Sequence, residues 1–321
     1  MHTTDRLRGA IWGQFVGDAT ALGTHWIYDL AEMAKEYPEG VNGFESPHEG
    51  HYHFGKKPGD QTHYGDGALV LLESLAKEGK FDARAFGASF VRTFHPGSYK
   101  GYLDKATKGT LEHYQAFTQS RSPEEFDFQE GADDDHMAGA SRLTALVARY
   151  WKEPNLLSIV EQATRVCQNN RQTIAFMKFN ALFLIELLRG HNVSEALQRV
   201  EDLIVAIDPV YGAEARRKSR QAQAHLAEDV VKVTIKFGQQ CPLPKSFPST
   251  IHTLLKHSEN FKGAIVATLR AGGDSAGRGA LVGGWLGAHL GLDAIPKAWR
   301  AKLSHADRIG AALEKVIADT R

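Results

Sequence analysis

Residues 272–291 read GGDSAGRGALVGGWLGAHLG, in which Gly279, Gly283, Gly287 and Gly291 recur every fourth position with Ala280, Gly284 and Ala288 beside them. That spacing is one row along an α-helix. Each glycine inside a helix costs about 0.5–1 kcal/mol relative to alanine, so an isolated helix with this many does not form. Close packing must offset the cost, because a bare ridge lets a second backbone approach nearer than leucine-lined ridges allow. Leu281, Val282, Trp285, Leu286 and Leu290 clothe the rest of the surface, which makes the helix central. The matching ridge lies near the other end of the chain, where Gly9, Gly13, Gly17 and Ala21 repeat the spacing between Leu7, Ile11, Phe15 and Leu22. The two helices are expected to pack on each other. An antiparallel crossing would set Gly17 and Asp18 beside Gly273, Asp274 and Ser275 and bring two carboxylates into one site. The alternative is that Asp18 caps or solvates a helix end and Asp274 is an ordinary N-cap.

Lysine plus arginine equal aspartate plus glutamate at 38 each, which removes the usual electrostatic footprint of a nucleic-acid or membrane-surface binder. The expected partner is a small molecule. Nothing marks a cut in the 321 residues, so a single domain over 1–321 is expected, with the oligomeric state open. Cys167 and Cys241 lie far apart without metal-type spacing, no signal-peptide pattern opens the chain and no run approaches a membrane span. A cytoplasmic setting fits. Several of the 15 histidines fall in the polar segment 48–63 and read as solvated.

The first helix is expected to start near Thr4 or Asp5 and end around Gly23, and a short second one stops at Tyr37 and Pro38. Residues 41–65 show neither helical nor strand period; their aromatics Phe44, Tyr52, Phe54 and Tyr64 favour an ordered loop, and long loops of this kind are functional or disordered. The loop runs into a helix over 67–78 and so places Thr62, His63 and Asp66 at a helix start that favours an anionic group. Asp66 as a plain helix cap is the competing account. Helices follow at 82–93 and 104–119, with a further helix start at Ser122 and Pro123. Asp133, Asp134, Asp135 and His136 precede a helix bearing Leu143, Leu146, Val147 and Tyr150; such a run is a solvated helix start or an oxygen-rich loop for substrate or a hard cation. Residues 155–208 are helical, with Asn192 and Glu195 spaced as a capping box, and 213–238 form another long helical stretch. CPLPKSFPS reads as a connection before helices at 251–256 and 261–270, and 296–321 as one or two surface helices. With no alternating strand run, the fold expected is all-α, a compact orthogonal multi-helix domain.

In this order and at these separations, Gly17-Asp18-Ala19, the Thr62 loop entering a helix with LLESLA, the KGYLDKATKGTL segment and the late GGDS resemble the ADP-ribosylglycohydrolase superfamily across nearly the whole chain. The resemblance implies an all-α fold, magnesium ions between the two loops, and hydrolysis of the glycosidic bond joining ADP-ribose to a side chain or related group. The family's first metal loop, threonine, two aspartates and threonine, is here Thr62 followed by His63, Tyr64 and Gly65. Its late loop keeps Asp274 but has Ala276 and Gly277 at the later positions. Only Thr62 and Asp274 remain as metal ligands, so any magnesium is weakly held or absent. HWIYD, GDQTHYGD and GGDSAGR resemble a divergent branch, the jellyfish lens J-crystallins.

Two readings follow. As a hydrolase of an ADP-ribose-type or nucleoside-type substrate, or an ADP-ribosylated one, the chain would use Asp274 or Asp18 as base and His63 paired with Asp66 as proton donor. Thr62, Tyr102, Asp134, Asp135, Ser275 and Arg278 would bind substrate, Arg278 holding phosphate. As a non-catalytic member, the chain would be a binding or crystallin-like structural protein that kept fold and pocket.

Overall fold

The computed structural model describes residues 2–318 and Thr320. Its helices are α1 (Thr3–Thr20), α2 (Leu30–Glu36), α3 (His63–Glu78), α4 (Ala83–Thr93), α5 (Lys105–Thr118), α6 (Thr144–Tyr150), α7 (Leu156–Arg165), α8 (Arg171–Leu188) and α9 (Val193–Ile207). There follow α10 (Tyr211–Ala224), α11 (Val230–Phe237), α12 (Leu243–Lys256), α13 (Phe261–Arg270), α14 (Ser275–Leu290), α15 (Lys297–Lys302) and α16 (Ala306–Ala318). Among the described residues there are isolated β-bridges but no strand, in keeping with the all-α expectation.

The core is the crossing of α1 and α14, the most extensive helix contact among the described residues. The glycine ridges explain it. A Cβ built on Gly9 would sit 2.7 Å from the carbonyl carbon of Gly291, one on Gly13 2.7 Å from that of Gly283, and one on Gly17 2.6 Å from that of Gly279. Those distances lie well inside the optimum of about 3.5–4.0 Å between carbons, so the backbones touch. The register differs from expectation. Gly17 lies over Gly279, and it is the turn after α1 that reaches the start of α14: Thr24 Oγ1 is 3.2 Å from Ser275 Oγ, and Trp26 N–H donates to Gly273 O at 2.7 Å. Asp18 therefore sits about one helical turn from where a shared carboxylate site would need it.

Around this pair, Phe183 and Phe247 meet Trp285 edge-on from α8 and α12. Three boundaries differ from the sequence reading. The stretch 213–238 is two helices, because Asp229 caps a new one by accepting from Val231 N and Lys232 N. CPLPKSFPS is mostly helix: α12 begins at Leu243 and carries Pro248 inside it, forgoing one backbone bond while Phe247 packs on Phe176 and Phe179. α16 buries Ile309, Leu313, Val316 and Ile317 rather than lying on the surface; Asp319 and Arg321 of that expected segment fall outside the described residues. The Asn192–Glu195 capping box is present.

Candidate functional site

Three chain segments converge where α1, α3 and α14 end or begin. Thr62 caps α3, with its Oγ1 accepting from Tyr64 N; Thr62 N–H donates to Asp18 Oδ2 at 2.7 Å and its hydroxyl donates to Asp18 Oδ1. Burial pushes the Asp18 carboxyl up to about 7 against the pull of these two hydrogen bonds. Asp274 caps α14 by accepting from Gly277 N at 3.3 Å, and its Oδ2 has no partner. Burial raises it to about 6, with the Arg278 guanidinium opposing. The turn before it needs glycine twice in succession, since Gly272 and Gly273 have φ of +63° and +61°.

The turn between α1 and α2 lies against that double glycine. Trp26 is held at φ +66° by its N–H to Gly273 O and its indole N–H to Cys241 Sγ at 3.2 Å. There its ring meets Tyr52 at 5.0 Å and Tyr102 at 4.7 Å, both edge-on. The rings form the wall of a cavity of about 300 Å³, lined also by Tyr28, Tyr64, Asp104, Lys105, His136 and Cys241. A neighbouring cavity of about 460 Å³ shares Tyr102 and Lys105 and adds Lys108, Glu112, His113 and Asp133. Asp104 caps α5 through Oδ1, which accepts from Thr107 N at 2.7 Å; its Oδ2 faces His63 Nε2 at 3.6 Å. His136 stands between two carboxylates, Nδ1 3.5 Å from Asp134 and Nε2 3.8 Å from Asp135. The arrangement offers stacking surfaces, cations and carboxylates in adjoining cavities, Asp104 being the carboxylate of the aromatic one.

Residues 1–321 match the model of the ADP-ribosylglycohydrolase family. The chain belongs to the ADP-ribosylglycohydrolase family. It is 27% identical over 317 residues to Crystallin J1A of Tripedalia cystophora, covering 95% of this chain and 94% of that protein. Crystallin J1B of the same organism is 26% identical over 307 residues, covering 92% and 91%. The fold matches a solved ADP-ribosylglycohydrolase-related protein complex with a TM-score of 0.75 at 23% identity, over 100% of this chain and 99% of that one.

The residues singled out from sequence divide into three groups. Tyr102 lines both cavities, and Asp134 and Asp135 flank His136, which reaches the first one. A second group is buried and bonded internally. Ser275 meets Thr24, and Arg278, 1% exposed, donates to the carbonyls of Gly272 and of Gln239, so it is a brace for the double-glycine turn rather than a phosphate clamp. Asp18 and Asp274 have separate partners instead of one site. The third group is redirected. His63 and Asp66 do not pair: Asp66 accepts from Lys56 Nζ and Tyr99 Oη at 2.6 Å each and lines a different cavity, of about 370 Å³, with Glu73 and Arg308. Thr62, not Asp66, caps α3. His63 is buried beside His25 and His53, and the histidines of 48–63 read as solvated include His51 and His53, both buried.

Those imidazoles bear on the family's metal. Thr62 Oγ1 is engaged by Asp18 and Tyr64 N, and the groups between Thr62 and Asp274 are nitrogen donors. A magnesium ion asks for about six oxygens in a tight octahedron, and the residues present do not fit it. Sequence reasoning missed Asp104, Lys105, Trp26, Tyr28, Tyr52, Tyr64 and Cys241 as lining residues of this cavity, while His136 was named only as part of the Asp133–His136 run. Asp104 was within reach, standing two positions after Tyr102 in the GYLDK segment at a helix start.

Proposed function

We propose that the chain hydrolyses a glycosidic bond of an ADP-ribose-type or nucleoside-type group, free or attached to a protein side chain, in the paired cavities around Tyr102. The observation carrying this reading is the joined pair itself: an aromatic wall for a planar base or ribose face, Lys105 and Lys108 on the second cavity for phosphates, and Asp104 at the aromatic one. Glycosidic cleavage passes through an oxocarbenium-like state, which needs a carboxylate to activate water and a donor for the leaving group. Asp104 Oδ2 takes a proton from water as the water oxygen bonds the anomeric carbon. The bond to the leaving group breaks, and His136 supplies its proton. Asp134 and Asp135 orient His136; Asp18 and Asp274 hold the loops from behind.

The test is release of ADP-ribose from ADP-ribosylated arginine peptide and from ADP-ribosylated serine peptide, followed chromatographically. Asp104→Asn keeps the helix cap, since asparagine caps as well as aspartate, and loses about 10²–10⁴-fold in rate. Asp66→Asn, in another cavity, keeps it. Release unchanged in Asp104→Asn would sink the assignment. The likeness to Crystallin J1A and Crystallin J1B favours a second reading, a non-catalytic ligand-binding or structural member. Thermal stabilisation by ADP-ribose, with and without magnesium, in the absence of any product release decides for that reading.

A further inference from the structure

His25, His53 and His63 come from three segments: the turn after α1, the long loop before α3, and the first turn of α3. Each offers one ring nitrogen within 4.8 Å of the other two. All three are buried, and of their six ring nitrogens five have no hydrogen-bond partner: His25 Nε2 and both nitrogens of His53 and His63. A buried polar atom left unpaired costs about 1–3 kcal/mol. Gathering five in one place is therefore unfavourable unless a further group engages them.

We propose that these three imidazoles bind one transition-metal ion of the zinc class, on the ground between Thr62 and Asp274 where the resemblance places oxygen-ligated magnesium. The donor type selects the ion: imidazole suits zinc, copper, nickel and iron, whereas magnesium and calcium take oxygen. Two of the rings have carboxylates behind them. His25 Nδ1 is 3.6 Å from Asp274 Oδ1, and His63 Nε2 is 3.6 Å from Asp104 Oδ2, which leaves His25 Nε2 and His63 Nδ1 for the ion. A carboxylate on the far nitrogen is the usual support of a metal-bound histidine. On binding, the His25 proton moves from Nε2 to Nδ1, which accepts from Ala276 N–H at 3.3 Å in the free protein and then donates to Asp274 Oδ1.

Tetrahedral zinc with bonds of 2.0–2.1 Å sets ligand nitrogens about 3.3 Å apart, so the rings close in from their 4.8 Å limit by side-chain rotation. Trp26 contacts all three rings and also lines the aromatic cavity. The ion thus sits behind the cavity wall and ties together the loop, the turn and α3, giving residues 41–62 an anchor that regular secondary structure does not supply.

The experiment uses the full chain stripped with chelator, then titrated with zinc, cobalt or magnesium. One equivalent of zinc binds and raises the melting temperature. Cobalt gives the visible absorption of a low-symmetry four-coordinate centre, and its X-ray absorption fine structure shows imidazole scattering. Magnesium does not displace either ion. His53→Gln abolishes stoichiometric binding while melting like stripped wild type, Asp104→Asn weakens it about 10–100-fold, and exposed His113→Gln leaves it unchanged. If His53→Gln fails to fold, the wild-type cobalt spectrum and fine structure decide alone. Absence of stoichiometric zinc uptake, zinc uptake intact in His53→Gln, a cobalt site without imidazole scattering, or displacement by magnesium would overturn the proposal.

Discussion

Adding one methyl group at Gly283 tests what holds the two ends of the chain together. A Cβ there would lie 2.8 Å from the carbonyl carbon of Gly13 and nearer still to its oxygen. Carbon–carbon contacts are optimal at about 3.5–4.0 Å, so α1 and α14 must separate by about 1 Å. No rotamer relieves the clash, because both contacting groups are backbone. Overpacking costs about 1–3 kcal/mol and occasionally more, and separating the helices also opens voids at about 24 cal/mol per Å³. Against this stands a helix-propensity gain of about 0.5–1 kcal/mol. The net expectation for Gly283→Ala is a loss of about 1–3 kcal/mol, read as a lower urea midpoint by circular dichroism. Gly310→Ala in α16 supplies the control: its Cβ meets only the Trp12 ring, at 3.6 Å, an ordinary contact. That variant gains about 0.5–1 kcal/mol. Gly13→Ala presses on Gly283 in return, so the double variant loses less than the two single losses combined. A Gly283→Ala protein as stable as wild type refutes backbone contact as the origin of the glycine ridges.

The remaining expectations concern charges. Asp18 and Asp274 are raised from an ordinary 3.8 to about 7 and about 6, so they bind protons more tightly folded than unfolded. Their contribution to stability is full below 3.8 and is lost as pH rises through those values. Wild type accordingly loses stability relative to Asp18→Asn as pH rises from about 4 to about 7. His25, His53 and His63 act in the opposite sense below 6.5 but titrate alike in both proteins, and parallel urea-midpoint curves would refute the Asp18 assignment. Tyr99→Phe removes the hydroxyl donated to Asp66 and costs about 1.5–3 kcal/mol in urea unfolding. It leaves the ADP-ribose release proposed for the Asp104 cavity unchanged.

The helix pairing was legible because glycine every fourth residue has few other uses in a helix that is apolar all round. Its register was not, and the pattern says why. A slip of one turn sets Gly13 over Gly279 and Gly9 over Gly283, preserving glycine on glycine, so the spacing alone fixes the partner but not the offset. What fixes the offset is outside the ridge: Gly273 exchanges hydrogen bonds with Trp26 and Ile27, and Thr24 meets Ser275. Pro248 misled for a related reason, since a proline reads as punctuation until the aromatic cluster around Phe247 outweighs one missing backbone bond. Asp66 misled because aspartate near a helix start reads as a cap, while Thr62 four residues earlier takes that role.

The same offset explains how the site came to differ from the sequence expectation. With Gly17 over Gly279, the turn carrying His25 and Trp26 is what reaches Gly273 and Asp274, and it occupies the ground between Thr62 and Asp274 with rings. Asp18 is left beneath Thr62, tied to it by two hydrogen bonds, and acts as a buried brace. The carboxylate that reaches the opening comes instead from Asp104, on the segment that also presents Tyr102 and Lys105. Sequence positions 25, 53, 63 and 104 share no period and no motif, so only the three-dimensional course of the chain brings imidazoles behind the wall and a carboxylate in front of it. The proposed chemistry at the cavity and the proposed ion binding behind it are consequently separable by mutation. Asp104→Asn strikes the first and weakens the second, whereas His53→Gln abolishes ion binding without removing a group that lines the cavity.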